Sequence, residues 1–358
     1  MTDHRNEKLA DILVNYSIKA KPNEKIVVRL TNPIGLPLAR EVYKRLIRVG
    51  AHPYVDISDE GTAKYFFDFA NDSQLNAKPE IAKFLADWAD KTITIVADIN
   101  TRELANADHR KLLIRSKLLK PIRDISIKKP WVLTYYPTPA MAQDANMGYD
   151  DFCDFFYRAC NRDWKKEDAY LQKLTGMLND AEVIEVKGLM TNLRLSAKGR
   201  VFVPCSGQYN MPDGEVFTAP VDDSVEGEVY FNYPLLRQGK MIRDIHLWFE
   251  KGKVVKATAS EHEEFLHKIL DTDEGARRLG EFAIGTNKGI QNYMYNVLFD
   301  EKIYGTVHMA LGEAYEECKG INKSAIHMDI IKDMTSAGSS VVADGKTVLK
   351  NGELTYKG

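Results

Sequence analysis

Apolar positions at Leu9, Ile12, Leu13 and Tyr16 fall at helical spacing, so residues 6–20 read as a helix that stops before the turn Pro22-Asn23-Glu24. The β-branched run KIVVRL at 25–30 follows as a strand, then a helix over 36–49 ending at Gly50, then a strand over 53–57. Strand, helix and strand joined by short links predict a βαβ unit with parallel pairing. The alternation continues with a helix over 79–89, the strand KTITIVA at 91–97, a basic helix over 102–119 and the strand WVLTYY at 131–136. No Gly-rich phosphate loop follows the first strand, which disfavours nucleotide binding.

Residues 150–180 read as one long helix carrying an aromatic stripe (Phe152, Phe155, Phe156, Tyr157, Trp164, Tyr170), the usual mark of a core face. From Ala181 the period changes. Short alternating segments (VIEVKG, TNLRLSA, GEVYFNYP, KMIRDIHLWFEKGKVVKATA) predict antiparallel strands and hairpins, one turning at Glu250-Lys-Gly-Lys253 and another, near the end, at Asp344-Gly345. Ser260-Glu-His-Glu263 has the form of a capping box opening a helix to Leu270. The expected fold is an α/β N-terminal domain with an open, mostly parallel sheet (1–180), then an α+β C-terminal domain (181–358) with a mainly antiparallel sheet carrying a metal site.

Composition adds exclusions. With 44% hydrophobic and 28% charged residues, 358 positions and a net charge of −2, the chain reads as an ordinary globular protein. Acidic and basic residues are interleaved, so nothing points to nucleic acid or an anionic membrane. The N-terminus is acidic without a long apolar run, and no window approaches the roughly 18 apolar residues of a membrane-spanning helix, so a cytoplasmic location is expected. Cys153, Cys160, Cys205 and Cys318 form no C-x-x-C pair and read as structural thiols.

Candidate chemistry gathers between residues 281 and 329, where Glu281, Glu301, Asp329, His308 and His327 are of metal-ligating types and Tyr315 follows His308 by seven positions. His327-Met-Asp329 lies in an apolar, partly β-branched run. In a strand, alternate residues share a face, so the pair is either a hydrogen-bonded couple or two ligands of an ion. Glu215 follows the tight turn Pro212-Asp-Gly214 and opens a short strand, a rigid place for a ligand and equally for a solvated glutamate. His308 lies in an apolar segment between Gly305 and Gly312. His246, alternating with Trp248, is its nearest rival, and it is read as structural together with His4, His52, His109, His262 and His267.

The strings NMPDGEVFTAP (210–220), GTVHMALG (305–312) and NKSAIHMD (322–329) resemble those of the thermophilic-type metalloaminopeptidase family (aminopeptidase T, aminopeptidase S and PepS-like). The resemblance covers most of the chain. It implies that Glu215, Glu281, His308, His327 and Asp329 bind metal, with Glu281 touching two ions, and that Tyr315 is catalytic. Many members carry a further glutamate five residues before the His308 position. Here Glu301 lies two residues further out, open between ligand and proton-transferring base. The function implied is release of N-terminal amino acids from peptides with a free N-terminus, by water activated between two divalent ions (zinc or cobalt, with manganese or magnesium as alternatives) in a homodimer. Another two-metal hydrolase such as a phosphoesterase, or a non-enzymatic binding protein on the same scaffold, is the alternative.

Overall fold

Ile26, Val27 and Val28 are fully buried in a strand, Lys25–Leu30, that pairs in parallel with His52–Ile57 on one side and Lys91–Val96 on the other. Trp131–Tyr135 adds a fourth parallel strand, and Asn210–Met211 a fifth. This is the parallel α/β sheet that the period of the sequence predicts. The computed structural model describes residues 3–356. It divides into two compact units, one running to Trp164 together with Gly207–Pro212, the other Lys165–Ser206 and everything from Asp213 onward.

The helices depart from expectation where side-chain caps decide. The predicted helix over 102–119 runs instead from His109 to Ile127, because the Asp108 carboxylate accepts from Arg110 N at 2.8 Å and caps it. The long helix expected over 150–180 is two, Tyr149–Cys160 and Trp164–Leu178, interrupted at 161–163. The first helix is α-helical only over His4–Asp11 and continues as a π-helical segment, Ile12–Ser17. The Ser260 capping box does not form. The helix starts at Glu263, and Ser260 Oγ donates to Asp244 at 2.6 Å instead.

The strands of the second unit's two large sheets pair antiparallel. An eight-stranded sheet runs, from edge to edge, through Lys253–Thr258, Ile245–Glu250, Glu226–Phe231, Thr191–Ser196, Val183–Gly188, Ser340–Ala343, Lys346–Lys350 and Glu353–Leu354. Its Glu250–Lys253 hairpin turns at Lys251 and Gly252, with φ of 48° and 76°. A Cβ on Gly252 would fall 1.7 Å from Asp222 O, so glycine is required there. A five-stranded sheet has the order His327–Asp333, Thr306–Gly312, Leu279–Gly285, Glu215–Thr218, Val203–Cys205. One apolar core takes residues from both sheets, including Val186, Leu193, Val229 and Leu247 from the first and Val216, Phe282, Ile284, Val307, Met309, Met328 and Ile330 from the second. Among the described residues no helix is long and apolar enough to cross a membrane.

Candidate metal centre

The five-stranded sheet buries one face in that core, and the period of two sends the alternate residues to the other face. Among those residues are Glu215, Glu281, His308, His327 and Asp329. A register shift between Leu279 and Glu281 lets Leu279 and Phe282 both join the core while Glu281 faces away from it. Each has a small cross-strand partner on one side: Gly285 stands opposite Glu215, Ala310 opposite both Glu281 and Asp329, Ala283 opposite His308 and Gly312 opposite His327, while Ile331 and Cys205 are the other partners of His308 and Glu215. Glycine and alanine there leave room for the long side chains to lean together. Glu215 is aimed by Gly214, whose φ is +120° and whose missing Cβ would stand 2.9 Å from Asn287 Cβ.

Glu281 is the hinge of the arrangement. Its Oε1 lies 3.2 Å from His308 Nε2, and its Oε2 lies 3.4 Å from His327 Nε2. Glu215 Oε2 stands 3.1 Å from the same His308 nitrogen, and Asp329 Oδ1 stands 3.4 Å from that of His327. Two donor sets result, Glu215–Glu281–His308 and Glu281–His327–Asp329, with ligand atoms of each within 4.8 Å of one another. Donors held about 2.0–2.2 Å from a common ion at tetrahedral angles lie about 3.3–3.6 Å apart, close to these spacings. Glu215 Oε2 and His308 Nδ1 are buried without an aligned hydrogen-bond partner. His327 Nδ1 lies 2.8 Å from Glu313 O, an acceptor only, so Nδ1 carries a proton and Nε2 is the nitrogen turned toward the carboxylates. Donor types, spacings and the orphaned Glu215 Oε2 therefore fit a divalent metal.

The charges are strongly coupled. Burial alone would raise the Glu215 carboxyl, but Lys302 and His308 outweigh it and hold it down to about 2. Burial likewise disfavours the Asp329 carboxylate, and His327 reverses that, keeping it well below the usual range. Burial lowers His308 and His327, yet their carboxylate neighbours raise both far above an ordinary histidine. Burial pushes Glu301 up to about 8 against the pull of Lys302.

Glu301 reaches this centre despite its offset in sequence, its carboxylate grouping with His308 and Asp329. The helix Val297–Asp300, followed by turns in which Lys302 N donates to Phe299 O at 3.0 Å and Thr306 Oγ to Ile303 O at 2.8 Å, takes up the extra length. Tyr315 leaves the end of the Thr306–Gly312 strand and sets its ring 4.9 Å from that of His327 and 5.8 Å from that of Phe217. Burial raises its hydroxyl, so Tyr315 keeps its proton. His246 is elsewhere, stacked on Trp248 at 3.8 Å with Nε2 3.1 Å from Glu228.

Sequence reasoning assigned nothing to Lys302 or Asp213. Lys302 is 1% exposed, donates from Nζ to Glu215 Oε1 at 2.7 Å and to Glu301 Oε1, and has Asp213 Oδ1 at 4.0 Å. A lysine beside a glutamate looks like any solvated pair, and only the apolar Ile303 after it hinted at burial.

The chain is similar to several known proteins. Aminopeptidase 2 of Geobacillus stearothermophilus is 27% identical over 95% of this chain and 94% of its own. Aminopeptidase T of Thermus thermophilus is 39% identical over a shorter stretch, 34% of this chain and 33% of the relative. A solved structure, wild-type AmpT from Thermus thermophilus, superposes with a TM-score of 0.85 over 99% of both chains at 23% identity, a likeness of fold. The family described as thermophilic metalloprotease (M29) matches residues 2–354, and the chain belongs to that family.

Proposed function

We propose that this metalloprotease is an aminopeptidase that releases N-terminal amino acids from peptides, using two divalent ions, zinc or cobalt, at the centre described. The observation that carries the reading is Glu281, one carboxylate with an oxygen turned to each histidine. The relatives named aminopeptidases support the substrate class. Glu215, Glu281 and His308 would hold one ion, and Glu281, His327 and Asp329 the other, with Glu301 at the margin as ligand or base. All of them lie in the C-terminal part, 181–358, which the proposal takes as the catalytic domain. A homodimer in the cytoplasm belongs to the same reading.

Bound ions supply Lewis acidity toward a peptide carbonyl and lower the proton affinity of water. The chain's own groups do the rest. Tyr315 donates a hydrogen bond to the oxygen of the carbonyl under attack as charge develops on it. Glu301, or Glu281, takes a proton from the attacking water and passes it to the leaving amine. Five buried or half-buried carboxylates (Asp213, Glu215, Glu281, Glu301, Asp329) favour a substrate that brings a free α-ammonium. The test is a chelated protein given zinc, cobalt or manganese and then a free peptide, its N-acetylated twin and nitrophenyl phosphate. Chelation should abolish, and metal restore, release from the free peptide only. Chelator-insensitive release, or faster hydrolysis of the phosphate ester, overturns the proposal.

A further inference from the structure

Glu215 is divided between two neighbours. Its Oε1 accepts from Lys302 Nζ at 2.7 Å, while Oε2, 3.1 Å from His308 Nε2, has no aligned donor. The lysine is fixed at its backbone as well as its tip, for its N–H donates to Phe299 O and its carbonyl accepts from Asn287 N, each at 3.0 Å. The other half of the centre differs. Among the described residues no lysine or arginine forms an ion pair with Glu281 or Asp329; Lys302 and Arg237 act on Asp329 only at longer range, and Arg237 donates to the backbone carbonyl of His327 at 3.5 Å.

We propose that Lys302 makes the two ion positions unequal, weakening divalent binding at Glu215–Glu281–His308 and leaving Glu281–His327–Asp329 as the tight position. The inference rests on the two-ion reading above. A fixed ammonium occupies one oxygen of Glu215, so that carboxylate offers a single oxygen and only part of its charge to a second cation, which the ammonium also repels. Glu301 is drawn to the same ammonium and away from full service as a ligand. Asp213, 4.0 Å from Nζ, offsets part of the positive charge from the far side, so the weaker position is diminished and not abolished. Lys302 is thus a positioning residue, acting on substrate only through Glu215, Glu301 and the metal.

The test is a titration of the metal-free full chain with zinc alone, and separately cobalt alone, by calorimetry and by dialysis with elemental analysis. The wild type should show two steps separated by at least about tenfold in affinity. Lys302→Met and Lys302→Gln remove the charge at similar length. Each should tighten the weaker step by about tenfold or more and leave the stronger within about threefold. General damage to the centre loosens metal, so tightening is not what a merely structural lysine would produce. One ion in the wild type and two in the variants is the same result at its limit. Coincident steps in the wild type overturn the inference without any variant, as does a weaker step unmoved in both variants. A wild type that binds no divalent ion overturns the two-ion reading instead.

Discussion

The two sides of Glu281 are built differently from the same residue types. On the His308 side the histidine is 0% and Lys302 1% exposed, Glu215 is 8% exposed, and the carboxylates face an internal ammonium. On the other side His327 is 22% exposed, its ring is oriented by the Glu313 carbonyl, and Tyr315 lies against it. A sealed position with its own cation suits a support for the carboxylates, whereas an open position beside a phenol suits contact with substrate. Identical donor types thus acquire distinct surroundings from burial and neighbours alone.

Glu281 is the residue on which the comparison turns, so its loss should have the largest effect. Glu281→Gln keeps the volume but places an amide NH₂ where one histidine needs an oxygen. Peptidase turnover should fall more than about 10³-fold, and elemental analysis should show less than half the wild-type metal. A variant that keeps its full metal would mean that the two sides are independent, and the contrast between them would lose its common member.

Tyr315 belongs to one side only. Tyr315→Phe preserves the ring packing on Phe217 and His327 and removes the hydroxyl. Loss of one oxyanion donor lowers turnover by about 10²–10³-fold, with metal content unchanged, if the open side is where the carbonyl sits. Unchanged kcat would move the chemistry away from that side.

The two halves of the chain were not equally legible. Parallel and antiparallel regions could be told apart because the β-branched runs KIVVRL and KTITIVA are separated by helical stretches, whereas VIEVKG and TNLRLSA follow one another across a short turn. His327 and Asp329 were readable as a pair because the period of a strand is two. Glu281 and His308 are far apart in sequence, and local pattern does not announce that they meet. Their pairing depends on a bulge at Leu279–Glu281 and on small residues opposite, Ala310 and Ala283, which look like ordinary strand alanines. Helix limits failed where a single side chain overrode propensity, as Asp108 and Ser260 did. Lys302 was invisible for a physical reason: burial of a lysine is determined by its three-dimensional neighbours, not by the residues beside it.

The smallest effect is in protons. In the metal-free protein both His308 and His327 are raised above the ordinary histidine value, against the lowering effect of burial, by the carboxylates beside them. An ion therefore competes with protons for their lone pairs. The sign follows: apparent metal affinity rises with pH, by about tenfold per pH unit for each proton displaced. Calorimetry in buffers of different ionisation enthalpy should count about two protons released for a filled centre near pH 7. His327→Ala should remove one proton from the open side's step and leave the sealed side's step unchanged. A release that does not divide between the two steps would show that the histidines titrate as one group, and the two sides would then share their protons as well as Glu281.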